Sequence, residues 1–407
     1  MEPEVPSWLN ESYLATVLQG GVDQEPRVTV TSFTAKSALP LDQNYGTYVF
    51  RVKVQYTVGE SVDKHVISLI IKTPVSHGFL SEYMEKIDLF NREQRFYADV
   101  LSQLNKRAKF EFGPKDFYCP DRNRLVLKDL NEDGYVMADR SKQLDLSHCK
   151  LVMMSLGKYH ASSVSLQHEN SKLVEEAGSE RLYYDEGPFK KEVKGWVETS
   201  LRLVSDVLKE MKGYESYGDL MLSKVDGIWE YLVKVFKPRK QSVNVLNHGD
   251  LWVNNMLFKY NSSGTPVAVK LVDFQYPRYS SPAVDLIYFI WTSADEGVRE
   301  TKQEELLDIY LQTLNSTLEE LGCQERLTAE ELRQDLRALA DWVLVLICQL
   351  LPTVLCEPKD VIKTEDFKQE DFDPEKPDER IEKRYQGKRF KSALPTVLRQ
   401  YQSWVFS

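Results

Sequence analysis

The sequence predicts an α+β protein in two parts: a β-rich N-lobe over about residues 1–130 and a larger, mostly helical C-lobe over residues 131–407. Three observations carry this expectation. At 407 residues the chain exceeds the roughly 250–300 at which a single hydrophobic core stops growing. Alternating and β-branched patterns crowd its first third. Apolar residues at three- and four-residue spacing dominate the other two thirds.

Composition narrows the function classes. A hydrophobic share of 42% is enough for sizeable cores, and a net charge of −10 argues against a broad nucleic-acid or anionic-membrane surface while allowing a local basic pocket. The five cysteines form no CxxC pair and leave an odd number, which fits core thiols in a reducing compartment rather than a disulfide framework. The start, "MEPEVPSWLNESYL", lacks the charged-then-apolar layout of a signal peptide, so the expected location is the cytosol. The most apolar stretch, "WVLVLICQLLPTVLC" at 342–356, falls short of the ~20 residues that span a bilayer and contains Gln349 and Pro352. It reads as a buried helix.

Taken in order, Ser7 can cap a short helix through "WLNESYLATVL". "TYVFRVKVQYTV" (47–58) alternates strictly, with Tyr48, Phe50, Val52 and Val54 on one face and Arg51, Lys53 and Gln55 on the other, the pattern of a half-buried strand. "HVISLIIK" (65–72) comes after the turn "GESVDK" and should pair with it as a hairpin. Residues 82–104 read as helical, and "RLVLKDL" (124–130) returns to strand. Segment 357–384, dense in charge and proline, reads as a long exposed loop ahead of a final helix.

One polar cluster interrupts the C-lobe. In "HGDLWVNNMLF" (248–258) a histidine, an aspartate and two asparagines stand just ahead of "MLFKY", the turn "NSSGT" and "PVAVKLV". The latter three form a strand hairpin, whose open ends are neighbours in space. Asn255 and Asp273 therefore come together, with Asp250 on the loop entering the first strand. An acid and an amide oxygen suit a hard cation such as Mg²⁺. Asp250, five residues ahead of Asn255, is then free to accept a proton, and D-L-x-x-x-N is the spacing of the kinase catalytic loop. N-capping and turn formation by Asx side chains do not require this spacing. Asn254 reads as structural.

"VLNHGDLWVNNMLFKY" followed by "VKLVDFQYPRYSSPAVDLIYF" resembles the ecdysteroid kinase-like family of insects, relatives of choline kinases and aminoglycoside phosphotransferases. "LIIK" (69–72), "FNREQRFY" (90–97), "LVLKDL" (125–130) and "LGKYHASS" (156–163) match further landmarks in the same order, so the similarity runs from about residue 27 to the C-terminus. The resemblance implies a protein-kinase-like bilobal fold, a five-stranded N-lobe over a helical C-lobe, with ATP and Mg²⁺ between them. It makes Lys72 the lysine that meets the ATP phosphates and Glu93 its helix partner. Asn44 falls in the nucleotide loop, while Lys128 and Leu130 fall in the adenine-reading hinge. Asp250 would be the base, Asn255 and Asp273 the metal ligands, and Asp285 the brace of the catalytic loop. His248 reads as a loop support.

Two departures stand out. The turn "LPLDQNYGTY" (39–48) has only Gly46 where the family usually places a glycine ahead of its "ENY-S" run, and Lys128 occupies a position where an acid is common. The expected activity is transfer of the ATP γ-phosphate to a hydroxyl of a small-molecule alcohol, an ecdysteroid or a lipophilic xenobiotic. A choline- or ethanolamine-type kinase and a catalytically weak pseudokinase that binds a ligand or partner are the alternatives. Oligomeric state has no signature here.

Overall fold

The computed structural model describes residues 5–38, 47–75, 78–121, 123–240, 242–357, 362, 366–372 and 378–406. Its N-terminal region is an antiparallel five-stranded sheet of β1 (Val28–Ser37), β2 (Thr47–Val58), β3 (His65–Pro74), β4 (Asp116–Phe117) and β5 (Leu125–Lys128), ordered β1-β2-β3-β5-β4. The alternation in β2 sorts its side chains between two environments. Phe50, Val52 and Val54 are buried with Leu14 and Val17 of the N-terminal helix, while Val49 and Arg51 face the opposite way, over a cavity. That helix, Glu11–Gln19, is capped by Asn10 rather than Ser7, because the Asn10 side chain reaches the Tyr13 amide at 2.9 Å.

The helical reading of 82–104 holds with two modifications. The chain breaks between Phe79–Lys86 and Leu89–Arg95 at Asp88, whose φ of 56° takes it out of the helix. Phe96–Leu101 then widens into a π-helical turn before Ser102–Ala108. Both changes fall around Glu93, which ends up 1% exposed beneath the sheet.

The remainder is mostly helical, and its core runs continuously from Tyr83 to Tyr401. At its centre the helix Leu146–Glu169 packs on Gln303–Glu320, and Gly157 permits the close crossing: a Cβ there would stand 2.9 Å from Thr313 Cβ. Three short strands interrupt the helices as a separate sheet. In order of pairing they are β6 (Tyr135–Met137), β8 (Met256–Tyr260) and β9 (Pro266–Leu271); β7 (Val245–Asn247) pairs with β10 (Arg278–Ser280). The expected hairpin is β8–β9.

The apolar stretch 342–356 is buried, as Ala340–Gln349 and Leu351–Val354. Among the described residues no single helix is long and apolar enough to cross a membrane. All five cysteines are unpaired, four of them buried. Segment 357–384 departs from the expected exposed loop. Its described part contains a helix, Glu379–Tyr385, and Ile362, Asp371 and Ile381 are buried. The charges that suggested solvation pair locally instead, Arg380 lying 3.1 Å from Asp371 and 2.8 Å from Asp378.

Candidate active site

Beneath the sheet lies a cavity of about 380 Å³, walled above by Val49, Arg51, Ile70 and Lys72 and below by Asn255 and Asp273. Lys72 ends the buried part of β3, where an unpaired ammonium would be costly. It donates to both oxygens of Glu93 at 2.8 Å and to Asp273 Oδ1 at 3.0 Å. Burial works against its charge, but the Asp273 and Glu93 carboxylates outweigh burial and hold its pKa above the usual lysine value. Three residues from distant parts of the sequence thus meet at one point.

The hairpin sets the opposite wall. Met256 pairs with Leu271, and the Val272 amide donates to the Asn255 carbonyl at 3.0 Å, so Asp273 comes directly beside Asn255. Asp273 adopts a φ of 70°, and its amide donates to the Tyr97 hydroxyl at 3.2 Å. The Asn255 amide nitrogen is spent on Asp250, donating to its carbonyl at 2.8 Å and to Oδ2 at 2.9 Å. Asn255 Oδ1 and the Asp273 carboxylate remain as oxygen donors, a set that fits a hard divalent cation.

Asp250 stands on a loop held from behind. Asp285, fully buried at the start of helix Ala283–Ser293, accepts the His248 amide at 2.6 Å and the Gly249 amide at 2.9 Å. His248 Nε2 donates to the Val272 carbonyl at 3.0 Å, tying the loop to β9. His160 approaches Asp285 at 3.2 Å from the central helix. Burial, reinforced by the nearby Asp273 charge, pushes the Asp250 carboxyl up to about 6, against the hydrogen bonds from Tyr288 and Asn255. A carboxylate poised there can exchange a proton near neutral pH.

On the far side of Asp250 a second cavity, about 330 Å³, is walled by apolar and aromatic side chains such as Tyr83, Tyr183, Trp196 and Trp342. Asp250, Trp252 and Gln275 line both cavities. The arrangement can therefore hold two ligands against one carboxylate.

Lys128 and Leu130 line the first cavity, with Lys128 paired to Asp133 at 2.6 Å. Asn44 lies outside the described residues. Asn254, read as structural from the sequence, also lines this cavity. Several residues here carry no sequence signal of their own. Buried Asp129, just past the end of β5, accepts from Arg51 of β2 at 2.7 Å and from Ser68 of β3 at 2.8 Å, tying three strands together. Tyr288 donates its hydroxyl to Asp250, and Gln275 bridges the cavities. The "VDFQ" and "AVDLIYF" strings contain Gln275 and Tyr288, but both look like ordinary strand-end and helix residues.

Among solved structures the chain is similar to an ethanolamine kinase of Plasmodium vivax, at 14% identity and a TM-score of 0.41, covering 92% of this chain and 85% of that one. It is also similar to a choline/ethanolamine kinase family protein of Mesorhizobium loti, at 13% identity and a TM-score of 0.38, covering 87% and 90% respectively. No curated protein sequence matches it. The model of the ecdysteroid kinase-like family matches residues 42–323, a span that includes Lys72, Glu93, Asp250, Asn255, Asp273 and Asp285. With more than half its length matched, this chain belongs to the ecdysteroid kinase-like family.

Proposed function

We propose that the protein transfers the γ-phosphoryl group of ATP to a hydroxyl of a lipophilic alcohol, with an ecdysteroid as the leading acceptor. The observation that carries this reading is the meeting of two cavities at Asp250, one lined by Lys72 and two oxygen donors, the other largely apolar. In this reading residues 1–130 serve the nucleotide, with Lys128 and Leu130 at the base, and residues 131–407 supply the catalytic loop and acceptor pocket.

Lys72 binds the α- and β-phosphates while Glu93 fixes its ammonium. Asn255 and Asp273 hold Mg²⁺, which when bound neutralises charge on the phosphate oxygens. Asp250 accepts the proton of the acceptor hydroxyl as its oxygen bonds to the γ-phosphorus, and the bond from that phosphorus to the β-phosphate oxygen breaks to leave ADP. Asp285 and His248 keep Asp250 in line through the loop backbone.

The apolar wall favours a lipophilic acceptor. Burying such a skeleton contributes about 25 cal/mol per Å², more in total than one charged contact at a pocket mouth. Aromatic rings such as Tyr183 and Trp342, with the carboxylates of Glu192 and Asp371, favour a quaternary ammonium instead. Incubation with ATP and a panel of sterols, choline, aminosugars and plant phenolic glycosides, read by mass spectrometry, separates the two. The expected result is a phosphorylated lipophilic alcohol with a KM insensitive to ionic strength, and no phosphocholine. Phosphocholine with the lipophilic panel untouched would overturn the acceptor and leave the kinase standing.

A further inference from the structure

The far end of the central helix carries a cluster that belongs to neither cavity. His168 stands in the last turn of Leu146–Glu169, about 12 Å along the helix from His160. Cys323 and Glu325 stand on the loop after Gln303–Glu320, the helix packed against it. One ligand atom from each of the three, an imidazole nitrogen, a thiol sulfur and a carboxylate oxygen, lies within 4.8 Å of the other two.

Both supports are fixed before any ligand arrives. The loop turns at Gly322, whose φ is 73°, and the Cys323 amide donates to the Leu318 carbonyl at 2.9 Å. Arg326 Nη1 donates to the Cys323 carbonyl at 2.8 Å. Asn315 bonds both backbone groups of Leu327, accepting from its amide at 3.0 Å and donating to its carbonyl at 2.8 Å. Binding at this point therefore orders little further chain.

An ion pair accounts for part of the arrangement, because His168 Nε2 lies 2.6 Å from Glu325 Oε1. With the two side chains 47% and 36% exposed, such a pair contributes little by itself. It leaves Glu325 Oε2 without a donor and gives no part to the sulfur of buried Cys323. A thiolate, an imidazole and a carboxylate together make a ligand set of the zinc type, whereas Mg²⁺ and Ca²⁺ take oxygen ligands. Three protein ligands leave the fourth tetrahedral position to water, which the exposed side of His168 admits.

We propose that His168, Cys323 and Glu325 bind a divalent cation of the zinc class, at a site separate from the oxygen donors Asn255 and Asp273. Binding expels the thiol proton of Cys323 and the proton between His168 and Glu325. Side-chain movements of about 1 Å bring the three ligand atoms to the separations, about 3.3–3.7 Å, of ligands on one tetrahedral ion. The ion ties the end of the central helix to the loop beyond its neighbour, and the site stands independently of the kinase reading.

The test uses the full chain, Mg²⁺ in excess to fill oxygen-only sites, and a non-thiol reductant that does not chelate. Co²⁺ is the probe, because thiolate ligation gives it a near-ultraviolet charge-transfer band and tetrahedral geometry gives it intense visible bands. Both are expected at a single equivalent, and Zn²⁺ should displace them by taking the same ligands. Cys323→Ser should remove the charge-transfer band. His168→Ala and Glu325→Gln should each weaken Co²⁺ binding at least about tenfold, since even the outer partners of a metal ligand are worth that much. Zn²⁺ should raise the melting temperature of the wild type by several degrees, and that of Cys323→Ser by less than half as much. No charge-transfer band with Co²⁺ in excess, or a band that persists in Cys323→Ser, overturns the proposal. Should Cys323→Ser fail to fold, the two exposed ligands decide: unchanged Co²⁺ affinity in either His168→Ala or Glu325→Gln overturns it as well.

Discussion

Tyr288 donates its phenolic hydroxyl to Asp250 from the helix whose first turn, through Asp285, clamps the loop on which Asp250 stands. One helix thus orients both the carboxylate and its backbone. Tyr288→Phe should lower kcat about tenfold, the scale of one lost hydrogen bond to a charged group, with the KM for ATP unchanged. Asp250→Asn should cost about 10²–10⁴-fold in transfer and keep Mg·ATP binding, as expected for loss of a general base. Steady-state kinetics on the two variants checks the pair. Equal losses would contradict the assignment of Tyr288 as a positioning residue and Asp250 as the base.

Asp273 lies 3.0 Å from Lys72 and next to Asn255 across the hairpin end. Asp273→Ala should weaken Mg²⁺-dependent ATP binding at least tenfold, since it removes the charged oxygen donor of the pair. Chelation of divalent ions should abolish wild-type transfer. Superimposable Mg²⁺ titrations of the two proteins would count decisively against the metal site.

Gly249 has a φ of 81°, and a Cβ added there would stand 1.8 Å from the Tyr276 carbonyl oxygen. Neither the backbone conformation nor the space admits a side chain. Gly249→Ala should therefore lower the melting temperature by several degrees and remove most activity by displacing Asp250. A variant as stable and active as wild type would show that the loop approaches less closely than this.

His160 is fully buried between the Tyr310 hydroxyl, 2.9 Å from Nδ1, and Asp285, 3.2 Å from Nε2. Burial lowers its pKa despite the Asp285 hydrogen bond and charge, so the folded protein keeps it neutral longer than the unfolded chain does. As pH falls through the ordinary histidine value of about 6.5, the unfolded chain takes up the proton first, and stability declines until the lower folded pKa is passed. The melting temperature should fall between pH 7.5 and 5.5, and less steeply in His160→Gln. Parallel slopes would remove His160 as a contributor.

Much of the site is legible in the sequence because it is local. Asp250 and Asn255 are five residues apart, and the turn "NSSGT" brings Asp273 to Asn255 by hairpin geometry alone. Asn44, expected from the resemblance to meet the nucleotide, lies outside the described residues. Tyr288 is illegible because in "AVDLIYF" it is one apolar-face residue among several, and only the angle of its helix aims it at Asp250. Segment 357–384 misleads because charge density signals solvent only when the charges lack partners nearby. Here Arg380 meets Asp371 and Asp378, and Phe367, Asp371 and Ile381 line the second cavity.

By itself the sequence determined the two styles of secondary structure, the β8–β9 hairpin and the triad of Asp250, Asn255 and Asp273, since periodicity and turn chemistry act over a few residues. Tertiary structure alone decided that Lys72 also reaches Asp273, 201 residues away, and that the first cavity meets the second at Asp250. Such contacts arise from how sheets and helices pack into a shared core, and packing depends on the shape of the whole surface rather than on the spacing within any one segment.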